Sequence, residues 1–230
     1  MDTREMESRI KTLESQVRKL NDIEEIQRLQ KAYGYYLEHW MNDEIIDLFA
    51  DSPDLVLNGA EGGKQDLRDF FKSLRDLSRN PEFLHQAMQL CGIIDIAPDG
   101  ETAQGRWYGY GAVALPAGKG VRPLSLNGIY TGEYVKQDGK WKIKKLVFHP
   151  IILAPPDEGW VKKERIAAIT PVKPKKNAKP RKPLNSDARY PSGYIVPFHF
   201  KHPVTGKKTG EAKRNASLKR EQTGKPQVQK

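Results

Sequence analysis

The chain has 230 residues, a formal charge of +10, one cysteine and five histidines. It holds no run of about 18 apolar residues, which excludes a helical membrane span, and charged residues rather than an apolar signal segment follow Met1. The lone Cys91 excludes an intramolecular disulfide and a cysteine-based metal cluster, so a reducing, cytoplasmic setting is expected. The length suits one domain with extensions, or two small domains. Residues 171–230 hold 16 Lys and Arg against 3 Asp and Glu, a net of +13, whereas the other 170 residues hold 23 against 26, a net of −3. The basic tail has neither a zinc-finger spacing nor an aromatic-glycine RNA motif, so it reads as a solvated extension rather than a nucleic-acid binder.

Met6, Ile10, Leu13, Val17 and Leu20 are spaced 4, 3, 4, 3, an a/d seam over two heptads. Helices this short are marginal alone in water, so residues 1–21 are expected to dock on their own domain or on another subunit, with self-association preferred. The stretch from Asp22 to Ala50 is the expected centre of the domain. Ile23, Ile26, Leu29, Tyr33, Tyr36 and Leu37 recur at helical spacing, giving one continuous apolar face that includes two tyrosines. A break is expected near Glu38 to Asn42, then a second helix carrying Ile45, Ile46, Leu48 and Phe49. Asp51 to Asn58 reads as a short strand. Gln65 to Ser78 reads as a third, amphipathic helix stopped by Arg79-Asn80-Pro81.

From Phe83 the pattern alternates. Strands are expected over His85–Ile96, Thr102–Leu115, Leu124–Lys136 and Lys140–Ile152. They are joined by a Pro98-Asp99-Gly100 turn, a Gly-Pro-rich loop over 116–123, and a hairpin turn at Gln137-Asp138-Gly139. Three helices before sequential antiparallel strands give an α+β class, with the helices on one face of a curved sheet. Trp160–Ile169 reads as a short helix and the Lys/Pro-rich residues 172–187 as a linker. Tyr190–Val204 is unusually rich in aromatic and histidine rings for a tail and is expected to dock on the body or a neighbour; residues beyond Thr205 are expected to be disordered. The organisation is thus an N-terminal helix (1–21), a domain (22–155) and an extension (156–230).

Several local patterns occur together: Tyr33-x-x-x-x-Glu38 on the long helix, Asp47-Leu48-Phe49-Ala50, His85 at a strand start, Gly105-Arg106-Trp107-Tyr108, Tyr130-x-x-x-Tyr134 and Asp138-Gly139-x-Trp141-x-Ile143. In this order and spacing, over roughly Leu20 to Leu153, the chain resembles the SnoaL-like branch of the nuclear-transport-factor-two-like superfamily. Bile-acid dehydratase is the member closest in pattern. The resemblance implies a cone: a strongly curved antiparallel sheet wrapped around a long N-terminal helix, with a pocket at its mouth. It also implies lyases and isomerases that use no cofactor and shuttle protons with Tyr, Asp/Glu and His in an apolar cavity. Two positions depart from the dehydratase pattern: Gly111 stands where it has an aspartate, and His149 or Pro150 where it has an arginine.

Proton transfer needs a base with a pKa near working pH in a dry pocket. Glu38 or His85 would be that base, since burial tunes both. Tyr33 and Tyr36 would donate hydrogen bonds to a substrate oxygen. Glu38 follows Tyr33 by five positions, about 140° around an ideal helix, so both face one pocket only if the helix breaks there. If Trp107 faces inward, Gly109 and Gly111 share its face and leave room for a flat ligand. Asn127 and His149, on the third and fourth long strands, would orient the substrate. No histidine spacing suits a metal, and no nucleophile elbow, phosphate loop or dinucleotide fingerprint is present. The expectation is therefore a cofactor-independent lyase or isomerase acting on a hydrophobic, aromatic or polycyclic small molecule by dehydration or retro-aldol chemistry, assembled as a trimer or dimer. The alternative is a non-catalytic small-ligand-binding or assembly protein of the same fold.

Overall fold

The computed structural model describes residues 2–57, 60–75, 82–117, 120–159 and 195–222. The chain separates into two compact units, residues 1–180 and 181–230.

The first unit begins with α1 (Thr3–Glu38), one unbroken helix of 36 residues. It contains no proline, so the boundary expected near residue 21 is not a break in the helix. The change there is in environment. Residues 2–21 are exposed on every side. From there Asp22, Ile26, Gln30, Tyr33 and Leu37 form a buried row at helical spacing, set against the sheet.

The helix ends where expected, and its hydrogen bonds show how. Met41 N donates to the Tyr36 carbonyl (3.0 Å) and Trp40 N to the Leu37 carbonyl (3.3 Å). This is the Schellman pairing, with Trp40 at the left-handed position that glycine usually takes. Trp40 has φ 52°, a conformation that strains a bulky residue by roughly 1 kcal/mol or more. The turn leads into α2 (Asn42–Asp47), β1 (Phe49–Leu57), β2 (Ala60–Gly62) and α3 (Lys64–Arg75). The expected stop of α3, at residues 79–81, lies outside the described residues.

Four long strands follow: β3 (His85–Ile96), β4 (Thr102–Ala117), β5 (Gly120–Gln137) and β6 (Lys140–Ala154). The β5–β6 hairpin turns on Asp138 and Gly139, both with positive φ (52° and 70°), the combination that matches strand twist. The Asp99 carboxylate shapes the preceding turn by accepting from the Glu101 and Thr102 amides (2.9 and 3.2 Å). Pairing of β4 with β5 continues to Ala117–Gly120, so most of the expected loop at 116–123 is strand.

The six strands lie in the order β2-β1-β6-β5-β4-β3. The sheet is mixed rather than wholly antiparallel, because β1 runs parallel to β6. No hairpin joins these two strands. β1 enters from α2 and reaches β6 only across the rest of the domain, so no tight turn imposes an antiparallel direction. Among the described residues β2 and β3 are the edge strands, and the sheet does not close. Its inward face meets the buried row of α1 in a core that includes Phe49, Leu67, Phe71, Trp107, Tyr130, Tyr134, Ile143, Leu146 and Leu153. The architecture is α+β: a long N-terminal helix against a curved, unclosed sheet.

In the second unit, α4 (Glu211–Gln222) stands where disorder was expected. Its sequence, EAKRNASLKREQ, consists largely of strong helix formers, with Glu211 in the first turn and an Arg214–Glu211 pair at 3.5 Å. The expected helix at 160–169, the linker at 172–187 and Tyr190 and Tyr194 of the aromatic segment lie outside the described residues. No helix among the described residues is long and apolar enough to cross a membrane.

Candidate functional site

The inward face of the sheet carries a chain of polar groups through an otherwise apolar interior. The Trp107 indole N–H donates to the Tyr134 hydroxyl (3.0 Å), which donates to Gln30 Oε1 (2.7 Å). Gln30 Nε2 donates to Gln89 Oε1 (2.9 Å), and Gln89 Nε2 to the Ala87 carbonyl (2.8 Å). The Tyr130 hydroxyl also meets Gln89. These bonds tie α1 to β3, β4 and β5 and satisfy groups that would be costly to bury alone. Burial raises the phenols of Tyr130 and Tyr134, so both stay protonated at neutral pH.

This arrangement changes the expected role of Trp107. It does face inward and is 2% exposed, but its N–H is committed to Tyr134. Its ring lies over Gly92, where a Cβ would sit 2.1 Å from a ring carbon. Gly109 and Gly111 do not leave space for a flat ligand. The Tyr130 and Phe148 rings fill the space over Gly109, and the Gln86 backbone carbonyl that over Gly111. The glycines admit the protein's own groups.

Tyr33 lies on the inward side, edge-on to Phe49 (centroids 6.2 Å apart) and to Tyr130 (6.3 Å). Burial, and then the neighbouring Tyr130, hold its phenol well above the ordinary value, so Tyr33 keeps its proton at neutral pH. Tyr36 is partly buried against the core.

Two further candidates lie near the end of α1. Glu38 is the last residue of α1, and its Oε1 accepts from Gln86 Nε2 (3.1 Å). His85, the preceding strand residue, meets the Trp40 ring edge-on (5.5 Å, 88°), and Trp40 in turn packs on Phe83 (5.1 Å). Desolvation lowers the His85 imidazole from its ordinary value to about 4, so it is neutral at pH 7. Glu38 is thus bonded to the neighbour of His85 rather than to His85 itself. Among the described residues, the buried Trp40 Nε1 and Asn42 Oδ1 have no hydrogen-bond partner, leaving a donor and an acceptor unsatisfied on either side of the α1–α2 turn. Trp40 was not among the residues expected in the site. Its signal was a large aromatic at a helix end, where glycine would be cheaper.

Asn127 and His149 require correction. The register pairs Trp107 with Tyr130 and Tyr130 with Phe148 on the inward face. Strand alternation then places Asn127, paired with Tyr110, and His149, paired with Ile129, on the opposite face. His149 Nε2 bonds Thr131 Oγ1 there (3.1 Å), and desolvation, then the Arg106 charge, lower its pKa. Neither residue shares a face with Tyr33.

Sequence reading also missed Gln30 and Gln89. Gln30 had a legible signal: it occupies an apolar-face position, four after Ile26 and three before Tyr33. Asp22 interrupts the same row. It accepts from Trp141 Nε1 (2.8 Å) and pairs with Lys136 (2.8 Å).

A long helix held against a curved, unclosed sheet, with polar side chains along the inward face, defines the nuclear-transport-factor-two-like fold class. Residues 18–147, more than half of the chain, match the SnoaL-like domain, and the chain belongs to that family. Among solved structures, it is similar to a provisionally named scytalone dehydratase from Novosphingobium aromaticivorans. The TM-score is 0.51 at 17% identity, over 71% of this chain and 99% of that one. It is also similar to a provisionally named aromatic ring hydroxylase from the same organism. There the TM-score is 0.50 at 23% identity, over 59% of this chain and 93% of that one. At these identities the likeness is one of fold.

Proposed function

We propose that the protein is a cofactor-independent lyase acting on a hydrophobic, hydroxylated aromatic small molecule, with its site at the corner where α1 meets α2 and β3. The observation that carries this reading is the neutral His85 imidazole packed on Trp40, whose buried indole N–H has no partner among the described residues. A base and a donor thus sit side by side, walled by aromatic rings, in a place that suits a substrate with one acidic C–H and one oxygen.

In an elimination, His85 takes the proton from the carbon next to the one bearing the hydroxyl. The C–H electron pair becomes the new double bond. The hydroxyl leaves as water, carrying the proton that the imidazolium returns to it. The Trp40 N–H and the Tyr33 and Tyr36 hydroxyls donate to substrate oxygen as negative charge builds there. That charge beside the imidazolium offsets the desolvation that keeps the free ring neutral. Glu38 is held by Gln86, which strand alternation sets on the face opposite His85.

The test is turnover on a panel of hydroxylated aromatic compounds bearing a proton beside the hydroxyl carbon. His85→Gln is expected to lower kcat by roughly 10²-fold or more, the usual contribution of a positioned base. Trp40→Phe keeps the ring packing and loses the donor, so it is expected to raise KM and lower kcat without loss of stability. Full activity in both His85→Gln and Glu38→Gln refutes the reading. Binding without turnover in the wild type would favour a ligand-binding module.

A further inference from the structure

We propose that residues 3–21 of α1 form a parallel, two-stranded coiled coil with the same segment of a second copy of this chain. Met6, Ile10, Leu13, Val17 and Leu20 are 40, 55, 58, 54 and 66% exposed, a row of large apolar side chains on a helix segment exposed on every side. The chain's own domain does not cover this row. At about 100° per residue, the seam centres about 160° around the helix from the row Asp22–Leu37 that docks on the sheet. The seam faces away from the body, and its next a and d positions, Glu24 and Gln27, are polar and end it. Four of its five residues precede residue 18, where the family domain begins, so the segment is an addition to that domain.

The sequence of the seam selects the occupant. Ile10 and Val17 take a positions, and Met6, Leu13 and Leu20 take d positions. β-Branched residues at a with leucine at d favour two parallel strands over three or four. The flanking charges agree. Arg9 falls at g and Glu14 at the following e position, so parallel, in-register helices bring Arg9 of each copy to Glu14 of the other, twice by symmetry. An antiparallel pair would instead set the e-position glutamates, Glu7 and Glu14, against each other. A free helix of about 20 residues exposed all round is marginal in water, and pairing supplies the missing burial.

The test is the mass of the full chain by sedimentation across micromolar concentrations, beside a set of variants. The wild type is expected at twice the 26.1 kDa of one chain. Leu13→Glu combined with Val17→Glu places four charges in the seam. It is expected to raise the dissociation constant by at least about 100-fold while the domain melts as before. Arg9→Glu alone and Glu14→Arg alone are each expected to weaken the dimer, and mixing the two variants to restore a mixed dimer. In a Cys91→Ser background, Met6→Cys is expected to cross-link on oxidation, because only the parallel register sets position 6 against itself. A monomeric wild type, a trimer, a dimer indifferent to the seam glutamates, or a failure of Met6→Cys to cross-link each overturns the proposal.

Discussion

Replacing Tyr134 with phenylalanine removes one oxygen from the centre of the domain and tests whether the buried polar chain is structural. Tyr134 is 1% exposed. Its hydroxyl accepts from Trp107 Nε1 at 3.0 Å and donates to Gln30 Oε1 at 2.7 Å. The variant keeps the ring and its packing, so no cavity larger than one oxygen is left. Two buried groups, the indole N–H and the amide oxygen, lose their partner together. Each such orphan costs about 1–3 kcal/mol, so a loss of about 2–6 kcal/mol is expected, a large share of a typical domain's 5–15 kcal/mol. Urea unfolding measures this as a fall in midpoint at unchanged slope. Gln30→Met removes the acceptor from the other side. The two substitutions are expected to be non-additive by about 1 kcal/mol or more, since they break the same bond. A Tyr134→Phe loss below about 0.5 kcal/mol, or full additivity with Gln30→Met, would refute the claim that these bonds hold α1 to the sheet.

The remaining predictions rest on separate sites. His85 has a folded pKa of about 4 against an ordinary value near 6.5, so its contribution to stability is fully present above pH 6.5 and is lost as pH falls toward 4. Between pH 7.5 and pH 5 this amounts to about 2 kcal/mol, and His85→Gln is expected to flatten the pH dependence of unfolding by that much. Gly92→Ala would drive a methyl group into the Trp107 ring, 2.1 Å from the nearest ring carbon. It is expected to cost about 1–3 kcal/mol and to shift the tryptophan fluorescence. Asp22→Asn keeps the acceptor for Trp141 Nε1 but removes the ion pair with Lys136, and is expected to cost about 1 kcal/mol by chemical denaturation.

Elements with strong local signals were legible in the sequence. The strand expected over His85–Ile96 coincides with β3 to the residue, because alternation and flanking turn residues mark both ends. The end of α1 at Glu38 was legible from the loss of the apolar row, although the Schellman turn on Trp40 was not. Contacts far apart in the sequence were not legible. The parallel seating of β1 beside β6 depends on the whole domain folding between them. The inward glycines looked like open space because period-2 alternation tells which face a residue takes and not what fills it. Gly109 is covered by Tyr130 and Phe148 from the neighbouring strands. Asn127 and His149 were assigned to the pocket from residue type and strand membership, and register sends both to the other face. The α4 helix was missed because the tail's net charge outweighed a local run of helix formers.

A neutral His85 at the α1–α2 corner is the group proposed to meet substrate. The most direct measurement is an NMR titration of the His85 ring from pH 8 to pH 3.5, with and without a hydroxylated aromatic ligand. The ring is expected to stay neutral until about pH 4, and its resonances to move when the ligand is added. A midpoint near the ordinary 6.5, or a ring indifferent to ligands that bind elsewhere on the protein, would contradict it.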